Sequence, residues 1–169
     1  MQPFVYPATL TPEEQEGGFV VTFPDVPEAI TQGDDVPEAL HQAADCLDEA
    51  IAGRIRRRES IPEASAVGPE QYAISLPVST AAKAALYLAL QQVKITQKEL
   101  AERLRCDEQE VSHLLDPRRT AKISRLESAL GALGYQLSLG LQILVPPSSS
   151  RPSAGEGKHD VVVTASRTA

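Results

Sequence analysis

The sequence is poor in aromatic residues and in cysteine. Aromatic side chains make up 4% of its 169 residues and tryptophan is absent, so no stacking platform for single-stranded nucleic acid is evident. The two cysteines, Cys46 and Cys106, lie far apart and outside any CxxC pattern. This favours free thiols in a reducing cytoplasm, and no histidine lies at a spacing that would complete a metal site. We therefore expect no metal and no cofactor.

Long hydrophobic runs and a secretory signal are also missing. No apolar run approaches the roughly 20 residues that a membrane-spanning helix requires, and the start, MQPFVYPATL, lacks the charged and apolar regions of a signal peptide. These absences predict a cytoplasmic location and no membrane partner. Hydrophobic residues make up 42% of the chain, enough for a packed core. The length allows one ordinary domain or two small ones.

Positive charge is scarce in the first half of the chain. Residues 1–70 contain four basic and fourteen acidic residues, a balance of −10, whereas residues 80–140 contain nine basic and seven acidic residues, a balance of +2. The net charge of −7 disfavours non-specific binding of nucleic acid by the chain as a whole. The uneven distribution suits a basic partner for the first half and allows the second half to approach phosphate.

The first half predicts a small α+β domain over residues 1–78. β-Branched and aromatic residues between turn signals predict strands at 3–10, 18–24, 28–32 and 72–78. Asp35, with Glu38 three residues later, predicts the start of a helix whose apolar residues recur at helical spacing as far as Ile51. Gly53 and the run 54–59 are expected to end this helix or to form its last turns. The order strand-strand-strand-helix-strand indicates one helix covering one sheet face.

The second half predicts an all-α domain with a terminal strand over residues 79–145. Ser79 or Thr80 is the expected cap of its first helix. Thr96 and Asp107 are the expected caps of the second and third helices, because a glutamate follows each of them three residues later.

The end of this domain and the tail have different compositions. Gly134 is expected to end a fourth helix that starts near residue 121, and residues 135–145 are expected to form a strand. Residues 146–169 are rich in proline, serine and glycine, which predicts a disordered tail, although its VVVTA segment could pair with a sheet edge. Because a lone strand needs an edge to pair with, the strand at 135–145 is the predicted dimer contact.

The most specific local pattern is ITQKELAERLRCDEQEVSHLL at 95–115. Two short capped helices joined by a tight turn, with the small Ala101 at their crossing, are typical of a helix-turn-helix. The alternative is a plain four-helix packing with a solvated face. Arg105 lies where such turns prefer glycine, and Glu108 would repel phosphate at the start of the reading helix.

The residues expected to contact DNA lie on the outward side of these helices. Gln109 can pair bidentately with adenine, and Ser112 and His113 can donate or accept hydrogen bonds at base edges. Four further residues are expected to hold phosphates: Gln97, Arg118, Arg119 and Lys122.

Acidic residues of the first half form a second candidate site, consisting of Glu38, Asp45 and Glu49 on the predicted helix and Asp25 and Glu28 near strand ends. A two-metal nuclease requires carboxylates that converge on ions ~4 Å apart, and the predicted elements do not bring these five together. A solvated or partner-binding surface is the preferred interpretation. Motifs of the GxSxG, Gly-rich phosphate-loop and HExxH types are also absent, so we do not expect an enzyme.

Residues 6–51 resemble the HicB family of antitoxins, most specifically in YPATLTP, GGFVVTFPDVPEAITQGD and VPEAL. ITQKELAERL and QEVSHLLDPRRTAKISRLESALGALG resemble the helix-turn-helix of the DNA-binding branch of that family. The resemblance covers residues 3–143. It implies a partial RNase H-like fold without RNase activity. It also implies a toxin partner of the HicA type, a small basic RNA-cleaving protein whose active site the antitoxin covers.

The resemblance assigns a partner to each candidate site. The acidic residues become the expected toxin-binding surface, and the outward residues of the helical half become the expected contacts to operator DNA, through which the pair represses its own operon. A homodimer or a higher homo-oligomer is expected on DNA. Two other functions stay open: a toxin-neutralising module whose helical domain only dimerises, and, as the least favoured, an RNase H-like hydrolase.

Overall fold

A computed structural model describes residues 4–14, 17–139 and 163–167. The first part of the chain forms β1 (Val5–Pro12), β2 (Phe19–Thr22), β3 (Ile30–Gly33), α1 (Val36–Arg57) and β4 (Tyr72–Ser75). The second part forms α2 (Val78–Val93), α3 (Gln97–Leu104), α4 (Glu108–Leu115), α5 (Ile123–Ala132), β5 (Tyr135–Leu139) and β6 (Val163–Arg167). The predicted α+β class is confirmed. No helix in the described ranges is both long and apolar enough to cross a membrane.

The first four strands form an antiparallel sheet in the order β3-β2-β1-β4. β1 is central, with Thr9 opposite Thr22 of β2 and Tyr6 opposite Ile74 of β4. α1 packs against this sheet through a buried stripe of Ala39, Ala43, Leu47 and Ile51. The predicted order of three strands, a helix and a fourth strand is therefore confirmed, with the helix on one sheet face.

α1 begins at the predicted cap and ends within the predicted run 54–59. The Asp35 side chain accepts a hydrogen bond from the backbone N–H of Glu38 at 2.9 Å, and the Glu38 carboxylate accepts one from the preceding loop at 3.0 Å. Gly53 is buried inside the helix, which ends at Arg57 with Arg58 in the left-handed conformation. The arginines of the last turn stabilise this end of the helix, since positive charge interacts favourably with a helix C-terminus.

α2 begins without the predicted side-chain cap. Its first residue is Val78, the N-cap position is Pro77, and no side chain makes a cap hydrogen bond. The expectation that Ser79 or Thr80 caps this helix is wrong. Thr80 already lies within the first turn and is buried, so its side chain is directed to packing rather than to the helix end.

The caps of α3 and α4 agree only in part with expectation. Thr96 and Glu99 form the predicted capping box, with reciprocal hydrogen bonds of 3.1 and 2.7 Å. Asp107 accepts from the backbone N–H of Glu110 at 2.6 Å, as predicted for an N-cap. The Glu110 carboxylate instead accepts from Nε of Arg125 in α5 at 2.8 Å. The second capping-box prediction is therefore wrong, because a long-range charged donor replaces the local one.

The hydrophobic core is continuous between the sheet and the helical part. Eight consecutive residues of α2, from Thr80 to Tyr87, are buried, and α2 contacts α1, α4 and α5. The same buried cluster contains Leu47 of α1, Leu86 of α2 and Leu126 of α5. The predicted domain boundary at residue 78 therefore coincides with the start of a helix that both parts use as core.

β5 forms a two-stranded antiparallel sheet with β6. The strand predicted at 135–145 is present over Tyr135–Leu139, and residues 140–145 lie outside the described residues. Because its partner belongs to the same chain, the argument that this strand needs an edge from a second copy is wrong. β6 falls in the segment 146–169, where disorder was expected. The structure differs from that expectation, because Val163, Thr164 and Ala165 of the VVVTA segment pair with β5. The rest of that segment lies outside the described residues.

Candidate functional site

α3 and α4 are joined by the turn 105–107, in the segment for which the sequence predicts a helix-turn-helix. Arg105 has a φ of 53°, in the left-handed region. The N–H groups of Arg105 and Cys106 donate to the carbonyl oxygens of Glu102 and Ala101, at 3.2 and 3.0 Å. The turn thus has the backbone geometry that favours glycine, at a cost of roughly 1–2 kcal/mol for an arginine.

The residues predicted to contact DNA lie around this helix pair. On α4, Gln109 and Ser112 are exposed and His113 is half-buried, on the side away from the buried Val111 and Leu114. The remaining candidates lie at the start of α3 and between α4 and α5: Gln97, which is half-buried, and Arg118, Arg119 and Lys122, which are exposed.

A groove of about 830 Å³ runs beside this surface. Three predicted DNA contacts line it, namely Gln97, Ser112 and Arg118, whereas Gln109, His113, Arg119 and Lys122 do not. Arg56, Arg58 and Lys94 also line the groove, as do two carboxylates, those of Glu108 and Asp116. The structure therefore brings part of the predicted set together and adds cations from the end of α1 and of α2.

Arg56 and Arg58 of this groove are a feature that sequence reasoning missed. The signal was visible as the run RIRRR at residues 54–58, which predicted only the end of a helix. The sequence alone could not show this, because the end of α1 meets residues that lie about 40 to 60 positions further along the chain.

A buried lysine holds the loop between α4 and α5. Lys83 of α2 is 2% exposed, and its ammonium donates to the carbonyl oxygens of Asp116 at 2.7 Å, of Pro117 at 3.4 Å and of Arg119. Burial lowers the pKa of Lys83, although the carboxylates of Asp116 and Asp48 act in the opposite direction. Three acceptors match the three protons of an ammonium group, so α2 fixes the position of this loop.

The acidic residues of α1 form an exposed surface on one side of the helix. Glu38, Asp45 and Glu49 are all exposed, and their spacing places them on one side of α1. His41 lies among them, with its Nε2 3.7 Å from Oδ2 of Asp45. Within the described ranges, no group of three or more histidine, cysteine, aspartate and glutamate side chains is placed to hold a metal ion.

Ile30 of β3 is an exposed apolar residue whose side chain lies on the sheet face opposite to α1, because Gly33 of the same strand faces Ala39 of the helix. It is 61% exposed and lies on an edge strand of the sheet. Its carbonyl oxygen accepts a hydrogen bond from Sγ of Cys46 at 3.5 Å, which places β3 beside the middle of α1. We call Glu38, Asp45 and Glu49 the acidic surface. The exposure of Ile30 was missed because a single isoleucine in a predicted strand is usually part of the core.

Asp25 and Glu28, the other two predicted acidic contacts, are bonded within the chain. Glu28 accepts two hydrogen bonds from Arg54, at 2.5 and 2.9 Å, and these bonds hold the pKa of the Glu28 carboxyl below its ordinary value. Asp25 accepts from the N–H and the hydroxyl of Ser65 at 2.9 and 3.0 Å. The two carboxylates secure α1 and the loop before β4, and they are not gathered with the acidic surface.

Comparison with known proteins places these features in a family. A family model described as HicB_like antitoxin of bacterial toxin-antitoxin system matches residues 5–85. Antitoxin HicB 1 of Photorhabdus laumondii subsp. laumondii is 41% identical over 137 residues, which are 81% of this chain and 86% of that protein. Antitoxin HicB of Escherichia coli K12 is 42% identical over 134 residues, 79% of this chain and 96% of that protein. Antitoxin HicB of Pseudomonas fluorescens Pf0-1 is 32% identical over 130 residues, 76% and 89% of the two chains. The chain belongs to the HicB antitoxin family.

Proposed function

We propose that this protein neutralises a toxin of the HicA type by binding it through the acidic surface. The observation that carries the proposal is the match over 96% of the length of an antitoxin HicB, which includes the part of the chain that bears this surface. The excess of acidic residues in the first 70 positions supports a basic partner, since complementary charge accelerates association.

We propose further that the sheet and α1 form a partial RNase H-like domain that performs no hydrolysis. In support, Asp25 and Glu28 are engaged by Ser65 and Arg54, and the exposed carboxylates of α1 are spread along the helix. A metal-dependent cleavage assay on structured RNA and on RNA–DNA hybrids tests this proposal. We expect no cleavage above that of a metal-only control.

The toxin proposal is tested with the full-length chain and the product of a short adjacent reading frame as toxin. Charge reversal of the acidic surface, Glu38→Lys with Asp45→Lys and Glu49→Lys, should abolish rescue of cells from the toxin and weaken binding in a pull-down. The matched control reverses three exposed carboxylates elsewhere, Glu63, Glu70 and Glu127, and should still rescue. Equal loss of rescue in both variants would show that net charge, and not this surface, matters.

We propose that the helical part binds operator DNA through a helix-turn-helix formed by α3 and α4, acting as a homodimer or a higher oligomer. Support comes from the two side-chain N-caps, the glycine-like turn at Arg105 and the exposed polar side of α4. A titration of the full-length protein against the duplex upstream of its coding sequence, and against a scrambled duplex, tests this. Equal affinity for both would favour the alternative that the helical part only dimerises, an alternative to which the acidic Glu108 at the start of α4 lends weight.

A further inference from the structure

The groove beside α4 has walls from two parts of the fold. One wall carries Gln97, Ser112 and Arg118, and the other carries Arg56 and Arg58 from the end of α1. The second wall belongs to the part of the chain assigned to toxin binding. Its position next to the predicted DNA contacts raises the question of what it binds.

The arginines of the α1 terminus fall into two classes. Arg54 and Arg57 form ion pairs within the chain, with Glu28 at 2.5 Å and with Glu59 at 2.7 Å. Arg56 and Arg58 are exposed and, within the described parts of the chain, form no ion pair. The two arginines that line the groove are therefore those whose charge is not neutralised by a neighbour, which leaves them available to an anionic partner.

α2 fixes both walls of the groove relative to each other. The Tyr87 hydroxyl donates to the carbonyl oxygen of Glu59 at 3.0 Å, and Ile55 at the end of α1 is buried in the common core. One turn earlier on α2, Lys83 holds the loop that carries Arg118. Since residues four apart lie on the same side of a helix, one side of α2 secures both walls and the groove is preformed.

We propose that Arg56 and Arg58 bind the phosphate backbone of the same DNA duplex that α4 reads, so that the end of α1 extends the DNA interface. The inference rests on the proposed DNA binding and adds a contact from outside the helix-turn-helix. Four cations and two carboxylates line the groove. One of these carboxylates, that of Asp116, already accepts a hydrogen bond from the backbone N–H of Arg118 at 3.0 Å.

The charge of the groove also indicates that it binds a different partner from the one that binds the acidic surface. A basic toxin is repelled by a groove with excess positive charge, whereas phosphate is attracted. The α1 arginines further offset the negative charge of Glu108, the feature of the sequence least compatible with DNA binding. They supply the cations that the start of α4 lacks.

The test compares the full-length parent with the double variant Arg56→Gln and Arg58→Asn. Asparagine is chosen at position 58 because it tolerates the left-handed conformation found there. Affinity for the upstream duplex and for a scrambled duplex of equal length is measured from 50 to 200 mM salt. We expect both affinities to fall in parallel and the slope of log K against log salt to decrease by about two.

Arg57→Gln is the matched control, since it removes one positive charge from the same helix end but not from the groove. It should leave the salt slope unchanged. The melting temperature of each protein is recorded, and if the double variant is destabilised, Arg56→Gln alone should still reduce the slope by about one.

The outcomes distinguish this inference from the proposed function on which it rests. If the parent and the double variant both bind DNA with the same salt slope, the proposed contact of α1 with DNA is wrong and the proposal of DNA binding stands. A parent that prefers neither duplex and binds both only weakly overturns both. A loss of affinity confined to a duplex RNA of the same sequence, with DNA binding unaffected, assigns the groove to RNA and also overturns the proposal.

Discussion

Gln109 and Arg119 lie on the same candidate DNA interface and have different predicted roles. Both are exposed. Gln109 lies on the outward side of α4, where it can reach a base edge, and Arg119 lies in the loop after α4, 3.6 Å from the carboxylate of Asp116. An amide can distinguish base pairs by bidentate hydrogen bonding, whereas a guanidinium near the backbone attracts any phosphate.

Substitution of these two residues should therefore give different signatures. Gln109→Ala should lose about 1–3 kcal/mol of discrimination at one base pair. Arg119→Ala should weaken binding evenly across sequences and lower the salt slope by about one. The measurement is a titration of both variants against upstream and scrambled duplexes at two salt concentrations. If Gln109→Ala discriminates as the parent does, Gln109 is a solvated residue without a role in recognition.

The sequence correctly predicted features that depend only on neighbouring residues, which are the N-caps of α1, α3 and α4. Asp35, Thr96 and Asp107 act as N-caps as predicted, because a cap depends on residues within one helical turn. The partners of Glu28 and Asp25 lie 26 and 40 positions away. Such pairs depend on how elements pack, so single-sequence patterns could not reveal that these carboxylates are occupied.

Among the helices, α2 was the least predictable and has the largest structural role. Its alanine-rich sequence indicated a helix. The sequence did not indicate how the helix begins, or that it is buried on nearly all sides. Lys83 was not singled out, since one lysine in an apolar stretch usually reaches solvent. Here it donates to carbonyl oxygens of the loop that follows α4, and the carbonyl oxygen of Asp116 also accepts from the backbone N–H of Arg119 at 3.1 Å.

Removal of this ammonium should destabilise the helical part. Lys83→Met keeps the bulk of the side chain and leaves the carbonyl oxygens of Asp116 and Arg119 without their buried donor. We expect a loss of roughly 1.5–3 kcal/mol in the free energy of unfolding, the range for hydrogen bonds that involve a charged group. Urea denaturation measures it. The control is Lys98→Met at an exposed position, where a change within ~0.5 kcal/mol is expected. Equal effects would show that Lys83 has no special role.

On the scale of the molecule, α1 carries both candidate partner surfaces. It has 22 residues and a length of ~33 Å, with exposed carboxylates between Glu38 and Glu49 and the groove arginines at its C-terminal end. This order of charge agrees with the helix dipole. The sequence indicated two halves of opposite charge and so two domains, but the core that α2 shares with both could not be inferred from charge. Experiments that assign function to either half should therefore use the full chain.

The last prediction concerns assembly on DNA. One helix-turn-helix module buries only about 600–1,000 Å², too little to select an operator. Two modules related by a two-fold axis would place their reading helices ~34 Å apart, one turn of the duplex. The pairing of β5 with β6 removes the original reason for placing the dimer contact at residues 135–145. It does not affect the need for a second reading helix.

We therefore expect a dimer at micromolar concentration by light scattering. We also expect tighter binding to a duplex with two half-sites one helical turn apart than to the same duplex with one half-site scrambled. Insertion of five base pairs between the half-sites is the control, because it moves the second half-site to the opposite face of the duplex and should reduce affinity to that of the single site. A protein that remains monomeric at this concentration, and binds the three duplexes equally, would contradict the dimer and leave the toxin-binding proposal untouched.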